Sequence, residues 1–269
     1  MSGHPSAADE RAAERVRELA AAYEPPGFEE TPGPDAALFL TAIDHRSGYA
    51  RPHEVEGEGP FEGSELLWRL GTLAERRDPG LLSAARLRDV DAPVVEEIFR
   101  AGDECVAGAP GRAELWRDLA AGLERSYDGS AAELLAASDG RLGGPGGLLA
   151  RLAEFEAFAD PVQKKSFLFA KIAERRGWLE VTDPGSWEVC ADNVLMRLAL
   201  RSGLVEPGPR EEVRAATRTA FRRVAERTGV SPPVLDDLLW ELGRGDPDLL
   251  GAEAGDLREP ERDPESHWY

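Results

Sequence analysis

From position 64 onward, apolar positions recur at helical spacing between short turn signals. Ser64 is the expected N-cap of a helix over 65–77, and Asp91 that of a helix over 92–101, with Pro93 in the first turn. Leu115, Leu119 and Leu123 form one apolar stripe within a helix over 111–127. Further helices are expected over 130–138, 147–158, 160–177, 192–202, 210–228 and 231–244, with a glycine-rich loop at 140–147. Before position 64, residues 7–23 form a charged amphipathic helix, and 24–35 a Pro/Gly turn region. The short run 36–44 is apolar, and its length leaves helix and strand open. A polar stretch follows over 45–59. No regular β alternation persists and no repeat of 20–50 residues is present, so the expected class is all-α with short connections.

Composition narrows the partners more than the fold. The 269 residues carry a formal net charge of −19. The tails contribute much of it, −5 over 1–35 and −6 over 246–269, yet −8 remains on 36–245. Such a body repels a phosphate backbone at long range, which argues against tight binding to a long duplex. No apolar run reaches about 18 residues and the N-terminus has no apolar signal region, so neither a membrane span nor a secretory signal is expected. Two cysteines, Cys105 and Cys190, provide no disulfide framework, and a reducing cytoplasm is the expected compartment. The pattern gives no expectation of oligomeric state.

The basic residues are skewed. Only three of 32 are lysines, and Lys164, Lys165 and Lys171 fall within eight residues. A lysine can lose its proton and attack a carbonyl, whereas an arginine effectively cannot. On a helix, Lys164, Leu168 and Lys171 share a face, with Lys165 about 100° away. An ammonium among Phe167, Leu168 and Phe169 either loses its proton more readily or snorkels to solvent. Asp192 is placed to cap the helix over 192–202, and a carboxylate there could also stabilise a sugar cation. Leu142–Gly146 fits the loose pattern L-x-G-x-G of a phosphate-binding hairpin, although such loops are common. Asp236, Asp237 and Trp240 lie on the last helix, where Trp240 is either a stacking surface or a core anchor. Asp44-His45 with His53 offers no metal-ligand spacing, and neither metal nor cofactor is expected.

Several segments in order resemble the queuosine salvage family, the queuosine-nucleotide N-glycosidases related to helix-hairpin-helix DNA glycosylases. They are the apolar run ending at Asp44, Phe61-Glu62-Gly63-Ser64 leading into Leu67-Trp68, and Lys164-Lys165. Ala191-Asp192, the segment Leu235-Asp236-Asp237-Leu238-Leu239-Trp240 and the terminal Trp268-Tyr269 complete the series. The resemblance covers residues 36–245 and the terminus. It implies a multi-helix glycosylase-like fold of two helical lobes with a cleft between them. It also implies hydrolysis of the base–sugar bond of a purine-like or deazapurine nucleoside or nucleotide. Asp192 takes the role of the carboxylate supporting the sugar cation, and Lys164 that of the glycosylase lysine, with Lys165 as its rival. Asp44, His45, Ser64, Lys171, Asp236, Asp237 and Trp240 become substrate-binding candidates. Two departures are visible: Asp44-His45-Arg46-Ser47-Gly48 replaces the family's aromatic-rich base motif, and Leu142–Gly146 lies some 18 residues before Lys164.

The leading expectation is thus a nucleoside or nucleotide N-glycosidase with domain limits 1–35 (helix and linker), 36–245 (catalytic body) and 246–269 (acidic tail). A lysine would hold a phosphate or a water, or in a bolder version form a Schiff base. Over 160–201 seven basic residues face six acidic ones, a local charge of +1 in an acidic chain. A base-excision glycosylase acting on DNA or RNA, and a catalytically inactive helical interaction protein, are the alternatives.

Overall fold

The structure is a computed structural model that describes residues 6–252, 259–261 and 266–268. The described residues form twelve α-helices and two small antiparallel hairpins. His4, Tyr269 and the tail segments 253–258 and 262–265 lie outside the described residues. No helix among the described residues is long and apolar enough to cross a membrane. The chain divides into two compact units at places other than the expected limits: Met1–Pro26 with Gly185–Ser266, and Gly27–Pro184 with His267–Tyr269.

The first unit contains α1 (Ala7–Ala20) and three later helices. Ser6 starts α1 with a capping box closed by Asp9. Ala12 and Val16 join the core that holds Leu195, Met196, Phe221, Val224, Leu235 and Leu238, so α1 packs within this unit and does not lead a separate N-terminal segment. The acidic tail is also anchored at its start. Leu249 and Leu250 are buried in the same core, and Arg201 holds the Asp248 carboxylate.

The second unit begins with α2 (Pro34–Ala42), which settles the ambiguous apolar run as a helix. Its residues 36–42 are buried all round, so no amphipathic period could mark it. A hairpin of β1 (His53–Val55) and β2 (Glu58–Phe61) occupies part of the polar stretch. Helix α3 (Gly63–Arg77) follows, with Glu62 as its N-cap in place of the expected Ser64. Gly71 of α3 lies so close to α2 that a Cβ there would stand 2.2 Å from Leu40. Helix α4 (Ala84–Leu87) is one turn, and α5 (Ala92–Ile98) is capped by Asp91 as expected. It ends early, because Arg100–Ala101 (β3) pairs with Glu104–Cys105 (β4).

Helix α6 (Ala109–Ser126) is the spine of this unit. Trp116 is enclosed against Phe39 and Phe99, and its indole N–H donates to the Phe39 carbonyl at 2.7 Å. One turn earlier Arg112, 1% exposed, donates to the carbonyls of Ile43, His45, Arg46 and Ala107. Helices α7 (Ala131–Ala137, capped by Ser130) and α8 (Leu148–Leu152) flank the glycine-rich loop. Beyond a 3-10 turn at Glu156–Phe158, α9 (Lys164–Arg175) packs on α2. The first unit closes the fold with α10 (Asn193–Arg201), α11 (Arg210–Thr228) and α12 (Pro232–Gly245).

Arg112 fixes the chain leaving α2 with a planar fork that lysine cannot copy. Arg112→Lys is expected to lower the unfolding free energy by about 3 kcal/mol or more, because several buried carbonyls lose their donors at once. Urea unfolding checks this, and a loss below about 1 kcal/mol would show that the carbonyls find other partners.

Candidate functional site

The chain that follows α2 is buried at Ile43 and Asp44, half-buried at His45 and exposed at Arg46, and apart from the His45 N–H to Ile43 carbonyl bond its carbonyls take donors from elsewhere. They receive them from cations. Arg112 serves residues 43, 45 and 46. Lys165 Nζ donates to the Ala42 carbonyl at 2.5 Å, and Lys164 Nζ to the Asp44 carbonyl at 3.1 Å. Five consecutive carbonyls, 42 to 46, are therefore bound by three cationic side chains.

The lysines reach this place because α9 starts later than its sequence suggests. Asp160 does not cap it. Its carboxylate instead turns back to the Val162 N–H at 3.0 Å and the Lys164 N–H at 2.9 Å. Gln163 is the N-cap, in the left-handed region at φ 55°. Lys164 and Lys165 consequently sit in the first turn, where the helix dipole disfavours cations. The carbonyl end of α2 and the Asp44 carboxylate offset that penalty. Lys165 is 0% exposed and does not snorkel.

Asp44 is the centre of the cluster. Its carboxylate accepts from the Ser64 hydroxyl at 2.6 Å and from the Trp68 side chain, and lies 3.5 Å from the Lys164 ammonium. Ser64 is drawn to this charge, which explains why it is not the helix cap. Burial alone would raise the Asp44 pKa, but Lys164, Ser64, Lys165 and Trp68 together hold it below the usual carboxylate value. Burial and the neighbouring Lys164 push the Lys165 pKa well down, against the pull of Asp44. His45 is pushed strongly down by burial, then by Lys165 and Arg112, so its ring is neutral. Its Nδ1 lies 3.2 Å from Lys165 Nζ. Arg112 falls to about 10 through burial and still carries its charge at neutral pH.

Around this buried floor, His45, Ser64, Trp68 and His267 are half-buried. The His267 ring stands edge-on to His45 with centroids 6.3 Å apart, and its Nε2 lies 3.2 Å from the Glu156 carbonyl. The cluster thus combines an ionised carboxylate, ammonium groups, a neutral imidazole and an indole. That set can stabilise a developing cation, accept a proton from water and contact an aromatic base. A groove of about 520 Å³ in the same unit is lined by Leu135, Asp139, Trp178, Leu179 and Glu180, among others, and none of its lining residues belongs to the charged cluster. The cluster is the candidate site because it brings together three titrating groups shifted by burial and by one another, Asp44, His45 and Lys165.

Of the expected site residues, Asp44, His45, Ser64, Lys164 and Lys165 meet here. Lys171 is buried two turns further along α9. Asp192, Asp236, Asp237 and Trp240 belong to the other unit. Asp192 caps α10, accepting from the Leu195 N–H at 3.0 Å. Asp236 accepts from the Cys190 N–H at 2.7 Å, and Asp237 is buried beside it on α12. The Trp240 ring carries the Arg244 guanidinium at 4.7 Å and packs against the core, which favours the anchor role over base stacking. Arg112, Trp68 and His267 were not among the expected site residues. Trp68 alone had a signal, its place after Ser64 in the resembling segment.

In the glycine-rich loop the Leu142 and Gly143 N–H groups donate to the Asp183 carboxylate at 2.7 and 2.9 Å, so two of the amides a phosphate could use are bound within the chain. Gly140, at φ +71°, allows the close approach to the Glu180 carbonyl, where a Cβ would stand 2.5 Å away. Among the described residues no group of three or more His, Cys, Asp or Glu is arranged to hold a metal ion. No protein-family model and no curated protein matches the chain.

Two outcomes follow from this geometry. As a cap, Asp192 is replaceable by Asn but not by Ala: Asp192→Ala is expected to cost about 1 kcal/mol in urea unfolding, and Asp192→Asn only a few tenths. Equal losses would reject the capping role. For His45, the folded pKa lies below its ordinary 6.5, so below pH 6.5 the unfolded chain takes up a proton that the folded chain refuses. Stability should fall toward acid from there by at most about 1.4 kcal/mol per pH unit. Asp44, lowered from 3.8, adds its loss only in stronger acid. His45→Gln should flatten the slope between pH 6.5 and 4.5, and an unchanged slope would assign it to other groups.

Proposed function

We propose that the chain is an N-glycosidase that hydrolyses the base–sugar bond of a purine-like or deazapurine nucleoside or nucleotide. The observation that carries this reading is the Asp44 carboxylate, buried and held in its charged form amid Lys164, Ser64 and Trp68. Cleavage of an N-glycosidic bond develops positive charge on the sugar carbon, and a fixed carboxylate stabilises it most where water is scarce. Asp44 takes the proton of the attacking water as its oxygen bonds to C1′ and the C1′–N bond breaks. The departing nitrogen takes up the proton that Asp44 received from the water, relayed through solvent at the half-buried rim, where the neutral His45 offers it an N–H hydrogen bond. Trp68 provides an aromatic wall for the base. A helix-hairpin-helix glycosylase-like fold is part of the same reading. It is supported by the helical make-up and by the short glycine-rich connection between α7 and α8.

A mononucleotide suits the chain better than a duplex. The formal charge of −19 opposes a long polyanion, and two amides of the glycine-rich loop, those of Leu142 and Gly143, are bound to Asp183. The base-excision alternative therefore has less support. The inactive interaction protein has no use for a buried, charged carboxylate beside two lysines, an arrangement that stability alone does not favour.

The test is base release followed by mass spectrometry, with nucleoside 5′-monophosphates, queuosine nucleotide and lesion-containing DNA offered separately. A free base is expected from a mononucleotide, reduced at least about 100-fold in Asp44→Asn. Asp192→Asn is run beside it, since Asn preserves the helix cap. Activity lost only in Asp192→Asn would move the charge-stabilising role to the residue that the family resemblance designates. Release from DNA alone would favour base excision, and release from nothing would defeat the enzymatic reading.

A further inference from the structure

We propose that Lys165 is a positioning residue for His45: it fixes the imidazole with Nδ1 unprotonated and Nε2 carrying the hydrogen, so that His45 meets the substrate as a neutral hydrogen-bond donor. The proposal rests on the N-glycosidase reading only for the identity of the substrate. Its structural half stands on the cluster itself.

Lys165 Nζ has two close partners in fixed places, the Ala42 carbonyl at 2.5 Å and His45 Nδ1 at 3.2 Å. A carbonyl can only accept, so one amine hydrogen is committed to Ala42. As an ammonium beside the Asp44 carboxylate, the lysine has no lone pair and can only donate, so a second hydrogen goes to Nδ1. A ring nitrogen that accepts this hydrogen leaves the other, Nε2, as the donor. The backbone on both sides of the ring is held as well, since the carbonyls of residues 43 to 46 are bound by Arg112 and Lys164. The cationic groups around the ring are Lys165, Lys164 and Arg112, with His267 edge-on to it and the Asp44 carboxylate next in the chain. Their positive charge and the burial keep a second proton off the ring.

This placement also decides between the two uses of a buried lysine. Lys165 is 0% exposed, closed in by the end of α2 and by His45. A Schiff base would require the amine to reach C1′, either displacing the base and opening the sugar ring or condensing with an open-chain aldehyde and expelling water, and an amine so enclosed is reached by neither route. The enzyme is therefore a hydrolase without an associated lyase step at Lys165. Its substrate base presents an acceptor, a carbonyl oxygen or an unprotonated ring nitrogen, to the His45 Nε2–H.

Nitrogen-15 NMR of histidine-labelled full-length protein tests the assignment. The chain has four histidines, and the His45 signals are those lost in His45→Gln. In the wild type, His45 should be the Nε2–H tautomer and should not titrate between pH 5 and 8. Lys165→Met should mix the tautomers and bring the titration into that range, while Lys165→Gln, which retains an N–H donor, should keep the wild-type tautomer. An Nδ1–H tautomer in the wild type, or a Lys165→Met spectrum identical to wild type, would overturn the proposal. If Lys165→Met does not fold, the wild-type tautomer decides alone. A second measurement treats the wild type with ribose 5-phosphate and cyanoborohydride, which reduces any imine to a stable amine. Peptide mapping should find no adduct on Lys165, and an adduct there would restore the nucleophile. Failure to release any base would defeat the glycosidase reading while leaving the imidazole spectrum to answer for Lys165.

Discussion

The Arg112 guanidinium holds the second unit's site together. A chain that leaves a buried helix without entering another element strands its carbonyls, and each stranded carbonyl costs about 1–3 kcal/mol. Here Arg112 takes three of the five carbonyls from Ala42 to Arg46, together with that of Ala107, while the lysines of α9 take the other two. The loop is therefore held by side chains in place of regular structure. Asp44 and His45 lie on it, and both of their carbonyls are bound by cationic side chains. Trp116, one turn along α6, pins the preceding part of α2 through the Phe39 carbonyl. One face of one helix thus sets the position of both titrating residues.

The same arrangement explains why lysines survive in a chain that otherwise uses arginine. A guanidinium needs a planar fork of acceptors, as Arg112 has. The Ala42 and Asp44 carbonyls are single acceptors in a closed space, which a compact ammonium fits. Placing two cations in the first turn of α9 breaks a local rule, since the helix dipole is positive there. The conflict is relieved only by tertiary structure, through the carbonyl end of α2 and the Asp44 carboxylate. Violations of local preference that the wider fold has to compensate concentrate at functional sites.

This also marks where the sequence could be read and where it could not. Caps that act within three residues were legible: Asp91 and Asp192 both accept helix N–H groups. The stripe of Leu115, Leu119 and Leu123 faces the core of its unit as its spacing implied. Ser64 and Asp160 looked like caps by the same rule, yet each answers to a stronger partner. Ser64 turns to a carboxylate 20 residues away, and Asp160 makes a tight turn around Pro161 that delays the helix. Helix α2 was ambiguous because burial on every side erases periodicity. The cluster was legible as residue types, since the lysines and Asp44-His45 could be singled out. Its assembly was not, because Arg112 reaches Ile43 across 69 positions and Lys165 reaches Ala42 across 123. No spacing rule encodes such contacts.

Charge bears on the choice of substrate at two scales. Over the whole chain, −19 repels polyanions. Inside the second unit, Lys164, Lys165 and Arg112 gather around the buried carboxylates of Asp44 and Asp160, so the interior lacks the acidic excess of the exterior. A long nucleic acid would experience the exterior along its length, whereas a mononucleotide entering the site would experience mainly the interior. The glycine-rich loop follows the same logic. Two of its amides, those of Leu142 and Gly143, are bound by the Asp183 carboxylate, whose negative charge opposes an external anion at that end of the loop. A small nucleotide meets neither obstacle, which makes it the substrate class most compatible with both the surface and the site.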